Sequence, residues 1–112
     1  MQEKTWDVVV AGGGMSGMCA ALAAAEENVD VLLMEKSDEV GGNADIAVGL
    51  FWSFRDYDKF RAYIPGGDPA LQYTLANNLQ SAVYWLEEHG LPFDDPETVA
   101  EDGWGRCMNA GE

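Results

Sequence analysis

Three glycines near the start of the chain, Gly12, Gly14 and Gly17, stand in the spacing G-x-G-x-x-G, and an acid, Glu35, follows about 20 residues later. Glycine is the residue type needed where a main chain must come close to bulky, charged oxygens. The first glycine permits a tight turn, the second lets a pyrophosphate approach the backbone, and the third lets a helix pack closely on a strand. Gly13, Met15 and Ser16 lie among them and contribute backbone amides at a helix start, where free N–H groups and the positive dipole end favour an anion. A carboxylate at the end of the next strand accepts hydrogen bonds from a ribose hydroxyl pair and disfavours a 2′-phosphate, which argues against NADP. The chemistry implied is the holding of a dinucleotide, either NAD or FAD.

Those residues need particular elements to hold them. Residues 6–11 form a short, valine-rich apolar run that suits a strand buried on both faces of a parallel sheet. A helix is expected from about Met15 to Glu27, where Ala20, Ala21, Ala23, Ala24 and Ala25 combine helix propensity with side chains small enough for close approach. Asn28 stands at the helix exit in place of a glycine, and asparagine tolerates the left-handed conformation. Residues 29–34 read as a second strand ending at Glu35. Strand, glycines, helix, strand and acid in this order predict a Rossmann-like βαβ segment of the α/β class.

The next stretch, EKSDEVGGNADIAVGLFW, adds a resemblance. Together with the glycine fingerprint it resembles the FAD-binding portion of the fumarate reductase, succinate dehydrogenase and 3-ketosteroid dehydrogenase flavoprotein superfamily. There the ribose-binding acid is followed by a basic residue, a short loop, a Gly-Gly-Asn or Gly-Gly-Ser turn and a run of small residues. The matching residues here are Glu35, Lys36, then Gly41, Gly42 and Asn43, then residues 44–49. The resemblance implies FAD as cofactor, with Gly42 and Asn43 close to the flavin diphosphate, Ala47, Val48 and Gly49 approaching the isoalloxazine, and Lys36 and Gly41 in the same binding set. Respiratory succinate dehydrogenases carry a histidine in this loop that bonds covalently to the flavin. The matching position is Asn43, so the implied FAD is held non-covalently. His89, the chain's single histidine, precedes Gly90 at the end of an expected helix, where a cation suits the dipole.

Beyond the loop, Phe51, Trp52, Phe54, Tyr57, Phe60 and Tyr63 crowd into a short stretch that reads as core sooner than as substrate pocket. Arg55 and Arg61 are expected in solvated pairs with Asp56, Asp58 or Asp68 sooner than on a substrate carboxylate. A helical segment follows. Asp68 caps it, Pro69 fits its first turn, Gly90 ends it, and Leu71, Leu75, Leu79, Val83 and Leu86 form an apolar stripe. Asn77, Asn78 and Ser81 offer a place for a break into two helices. Residues 91–112 read as loop, and Arg106 has no assignment.

A formal net charge of −14 on 112 residues argues against a nucleic-acid partner. Cys19 and Cys107 make neither a disulfide framework nor a paired metal motif, and Cys19 reads as a small buried residue in the alanine-rich helix. The first residues lack the pattern of a signal peptide, and no segment approaches the ~20 apolar residues of a membrane span, so a cytoplasmic location is expected.

The expected organisation is an FAD-binding βαβ segment with its flavin loop over residues 1–50, then an aromatic linker and helical segment over 51–112 leading toward a substrate or cap domain. Two parallel strands make an incomplete sheet, and Val8 to Val10 and Val31 to Leu33 should remain exposed unless further strands cover them. The expected function is that of an FAD-binding subunit or part of a flavin-dependent oxidoreductase. The hydride would pass to or from a C–C bond beside a carbonyl or carboxylate, with the remaining machinery on a second polypeptide. No catalytic acid or base is assigned. A flavin-carrying scaffold without chemistry, or an NAD-binding βαβ domain, are the alternatives.

Overall fold

The computed structural model describes residues 3–47, 50–54, 56–91 and 104–107, and the chain divides into two compact units, Met1–Val48 and Gly49–Glu112. Arg55, and the side chains of Phe51, Trp52, Arg106 and Cys107, lie outside the described residues.

In the first unit β1 (Val8–Ala11) and β2 (Val31–Met34) pair in parallel, Val8 opposite Val31 and Ala11 opposite Met34, with α1 (Met15–Glu26) between them in sequence. β-Branched valines suit this half-buried pleat. Both strands begin later than residues 6 and 29, because the ladder is opened by Asp7 and Asp30. The N–H groups of Asp7 and Val8 donate to the Asp30 carbonyl, and Asp7 Oδ2 accepts from Asp30 N–H at 2.9 Å. α1 leaves through Asn28 at φ 59°, the left-handed residue expected there, with its N–H on the Ala25 carbonyl.

α1 lies against the face of β1 that carries Val10. A Cβ built on Gly17 would collide with the Gly12 carbonyl oxygen and sit 3.5 Å from Val10 Cγ1. The expected exposure of both strands is therefore only partly correct. Val8, Val10 and Val31 to Leu33 are half-buried, whereas Val9 on the opposite face is 53% exposed. No residue of α1 is fully buried, and Cys19, expected buried, is half-buried with its thiol on Met15 Sδ at 3.9 Å. The result is an α/β arrangement with a small, open parallel sheet.

In the second unit β3 (Leu50–Ser53) pairs antiparallel with β4 (Trp104–Cys107), a pairing absent from the sequence reading of a linker and a loop. α2 (Tyr57–Tyr63) is capped by Asp56, whose Oδ1 accepts from Lys59 N–H at 2.9 Å. α3 (Pro69–Glu88) begins with Asp68 Oδ1 on the N–H groups of Ala70 and Leu71. It ends in a Schellman turn: Gly90, at φ 87°, donates to Glu87 and Leu91 donates to Leu86. The break expected near Asn77 does not occur. Asn77, Asn78 and Ser81 turn their side chains back onto the carbonyls of Tyr73, Thr74 and Asn78, so their polar groups are satisfied within one continuous helix.

The expected apolar stripe is also shifted. A four-residue step overshoots a full turn by roughly 40°, so Leu71, Leu75 and Leu79 cannot share a narrow face. The buried positions are Gln72, Ala76, Leu79, Val83 and Leu86, while Leu71 is 71% exposed and Leu75 46%. Phe54 stacks on Phe60 with ring centroids 4.9 Å apart, and both join Ala76 in the core. Gln72 earns its burial through its amide. Its Oε1 accepts from Arg61 Nη1 at 2.6 Å and its Nε2 donates to the Ile64 carbonyl at 2.9 Å, while Arg61 also donates to the carbonyls of Gly67 and Pro65. Arg61 thus serves the α2–α3 connection, in place of the carboxylate pairing expected for it. Gly67 has no room for a side chain, since a Cβ there would strike the Gln72 amide nitrogen.

Gln72→Leu should destabilise the protein by ~1–3 kcal/mol, because it leaves part of the Arg61 guanidinium without a partner and takes one donor from the Ile64 carbonyl, which keeps the Gly67 N–H. Leu71→Gln, one residue away on the exposed face, should change stability by less than about 0.5 kcal/mol. Denaturant melts of the two variants check the register of α3, and equal losses would contradict it.

Candidate dinucleotide-binding site

The glycine fingerprint forms the turn between β1 and α1. Gly12 extends the parallel ladder by donating to the Met34 carbonyl at 2.7 Å and adopts φ 107°, a conformation that requires glycine. Gly14 is the N-cap of α1 at φ −76°, ψ −177°. No side chain caps this helix and no acid lies in its first turn. A Cβ built on Gly14 meets no protein atom within 4 Å, so the fold leaves space there. Such a cradle beside leading helix amides fits a pyrophosphate. Met15 and Ser16 are exposed in the first turn, and Gly17 makes the close helix–strand approach described above.

Glu35 follows β2 directly. Its Oε2 accepts the Gly13 N–H at 2.7 Å, and its Oε1 accepts the Ser37 N–H at 2.9 Å. These donors, Ser37 first and then Gly13, hold its carboxyl below the ordinary value of 4.5. Each oxygen retains a second lone-pair site, enough for a ribose hydroxyl pair. A cleft of about 440 Å³ opens beside it, lined by Ala11, Gly12, Met34, Glu35 and Lys36. It lies at the carboxyl ends of the two strands, where open α/β sheets receive ligands.

The second glycine turn docks onto the first. Gly41, at φ 127°, donates its N–H to the Gly13 carbonyl at 2.7 Å and forms a parallel bridge with Gly14. A Cβ on Gly42, at φ 56°, would stand 3.6 Å from Gly14 Cα. A 3-10 helix then runs over Gly42–Ile46 and carries Asn43 on its exposed side, with Ala47 at its end. The structure thus brings together Gly12, Gly13, Gly14, Gly17, Glu35, Lys36, Gly41 and Gly42. Ala47, like Asn43, is exposed and is not among the residues that line the cleft, and Val48 and Gly49 lie outside the described residues.

Sequence reasoning missed Ser37, whose amide holds the carboxylate, and Val40, whose Cγ1 lies against Gly13. Neither residue type carries a signal for such a role. His89 is the helix-end residue expected, with Nδ1 2.6 Å from the Trp85 carbonyl oxygen and its ring over the Trp85 ring. Among the described residues no group of three or more His, Cys, Asp and Glu could hold a metal, and no helix is long and apolar enough to cross a membrane.

A parallel βαβ unit with a cradle at its glycine turn and a carboxylate at the second strand end defines a dinucleotide-binding protein. Residues 7–109 match the FAD binding domain family, and the chain belongs to it. A fumarate reductase (cytochrome) from Shewanella frigidimarina is 33% identical over 109 residues, spanning 83% of this chain and 19% of the reductase. A vinyl phenol reductase from Lactiplantibacillus plantarum is 29% identical over 118 residues, spanning 88% of this chain and 23% of that enzyme. The chain therefore covers about a fifth of the length of these relatives. Its fold is similar to that of a 3-ketosteroid-Δ4-(5α)-dehydrogenase from Rhodococcus jostii RHA1, with a TM-score of 0.68 and 21% identity over 97% of this chain and 33% of the dehydrogenase.

The lowered pKa of Glu35 sets a pH dependence. The carboxylate is ionised in the folded protein at lower pH than in the unfolded chain, so its contribution is complete above pH 4.5 and is lost as pH falls through the folded value. The melting temperature of Glu35→Gln should lie below that of the unaltered protein at pH 7, and the two should converge as pH falls below 4.5. A constant difference across that range would show that ionised Glu35 does not hold the turn.

Proposed function

We propose that the chain supplies the ADP-binding surface, and part of the flavin-binding surface, of an FAD-dependent oxidoreductase. The observation that carries this reading is the docking of the second glycine turn on the first, with Gly41 hydrogen-bonded to Gly13 and bridged to Gly14. That arrangement adds a second main-chain surface beside the first cradle, in support of a ligand that extends past its pyrophosphate. Residues 1–50 form the cofactor segment in this reading, a Rossmann-like unit, and residues 51–112 lead toward a substrate or cap domain.

The individual roles follow from chemistry. Met15 and Ser16 present main-chain N–H groups to the pyrophosphate and Gly14 leaves open space for it, while Gly12, Gly13 and Gly17 shape the turn that holds them. Glu35 accepts the ribose hydroxyls with the lone pairs left free by Gly13 and Ser37, and Lys36 borders the same cleft. Gly41, Gly42 and Asn43 flank the diphosphate, and Ala47, Val48 and Gly49 lead toward the flavin ring. Bound FAD supplies hydride transfer, here to or from a C–C bond beside a carbonyl or carboxylate. The similarity to a fumarate reductase supports that reaction class. With asparagine at position 43 the FAD is held non-covalently, and the protein is cytoplasmic.

The remaining machinery lies outside these residues, on the rest of a larger flavoprotein. Support comes from the open sheet: Val9, Leu22, Met34, Val40 and Ile46 of the first unit are all substantially exposed, and apolar surface of this kind gains about 25 cal/mol per Å² when covered. Produced alone, the chain should take up little FAD and should aggregate or melt without cooperativity. A monomer with bound flavin and a sharp melt would replace this reading with a self-sufficient flavin domain.

Gly14→Val tests the cradle itself. The backbone angles of Gly14 are open to any residue and its Cβ space is empty of protein, so the variant should assemble normally. Its branched carbon would fill the place of the phosphate oxygens, and flavin should be lost by more than about 100-fold in affinity. A variant purified with full flavin absorbance would remove Gly14 from the cofactor site.

A further inference from the structure

We infer that Gly13 is a positioning residue, and that Val40 fixes it as glycine. The fingerprint leaves position 13 open to any residue, and Gly13 lacks the open space found at Gly14. Its N–H and carbonyl nevertheless tie together three parts of the unit. Its N–H meets the Glu35 carboxylate at 2.7 Å, its carbonyl receives the Gly41 N–H at 2.7 Å, and it is itself buried. The side of Gly13 that would carry a Cβ is already filled. A Cβ built there stands 2.8 Å from Val40 Cγ1, 3.1 Å from Glu35 Oε2 and 3.2 Å from Glu35 Cβ.

A methyl group at position 13 would therefore displace two elements at once. Val40 belongs to the segment that leads directly into Gly41, so pushing it away pulls the second glycine turn off the first. Glu35 is pressed from the same side and loses its aim at the ribose. Gly13 thus acts through Glu35 and Gly41, without touching the nucleotide by a side chain, and couples the ribose end of the site to the diphosphate end. Val40 is the nearer obstacle and the more movable one: it is 52% exposed, so shortening it removes little packed core.

This inference rests on the FAD reading above, and its test separates the two. Three variants are prepared in the assembly that carries this chain: Gly13→Ala, Gly13→Ala/Val40→Ala and Gly14→Val/Val40→Ala. FAD affinity, the visible circular dichroism of the bound flavin and the melting temperature of the flavin-free protein are measured for each. Gly13→Ala should bind FAD at least tenfold more weakly, alter the flavin dichroism and melt at lower temperature. Adding Val40→Ala should recover most of the affinity, the dichroism and the melting temperature. The same Val40→Ala should recover no affinity beside Gly14→Val, where the obstruction lies in the ligand's own space. Failure of Val40→Ala to rescue Gly13→Ala, or equal rescue of both backgrounds, overturns the inference. If Gly13→Ala is insoluble, the Gly13→Ala/Val40→Ala protein decides: soluble and flavin-loaded supports the coupling, insoluble overturns it. Absence of flavin from the unaltered assembly would sink the FAD reading alone, and the melting temperatures would still decide the Val40 contact.

Discussion

The first unit depends on the backbone of one residue. Gly13 offers its N–H to the carboxylate after β2 and its carbonyl to the loop that follows, so the turn after β1 is fixed from two sides. The buried N–H and carbonyl of a residue both need partners, and here each partner is supplied by a different part of the chain. The glycine turn, the strand end and the second glycine turn are consequently parts of one assembly. Local propensity would not hold them together, since glycine-rich backbone is the most costly to order.

That construction also explains how a strongly acidic chain can attract an anion. The net charge of −14 is carried by side chains, whereas the cradle is made of main chain. α1 begins without an acid in its first turn and without a capping side chain. Glu35, a carboxylate brought close, is turned onto amides of Gly13 and Ser37, which offset part of its charge. A backbone surface of this sort keeps its positive character whatever the surrounding side chains carry.

The βαβ unit was legible in the sequence because each of its requirements is local. The glycine at 17 answers a collision with the carbonyl of residue 12, and the asparagine at 28 answers a left-handed exit, both within a few residues of their cause. What could not be read was set by tertiary contact. The β3–β4 pair joins two four-residue strands far apart in the chain, each too short to show alternation, and one contains a glycine that disfavours strand. The register of α3 is hidden in the sequence because leucines at 71 and 75 outweigh a glutamine at 72. Only the Arg61 guanidinium and the Ile64 carbonyl make that glutamine an interior residue. The part played by Val40 follows from where its loop docks, and valine carries no sign of it.

The Arg61–Gln72 contact has a consequence for how this chain can change over generations. Its two members sit on different helices, and each makes sense only in the company of the other and of the carbonyls between them. Loss of either strands polar atoms that the survivor cannot satisfy. Replacement of both by apolar residues would still take the Arg61 donor from the Gly67 carbonyl and the amide donor from the Ile64 carbonyl, which keeps only the longer bond from the Gly67 N–H. Divergence at this corner is therefore concerted: residues 61, 67 and 72 and the loop joining the helices form one heritable unit, free to be exchanged whole and closed to piecemeal drift.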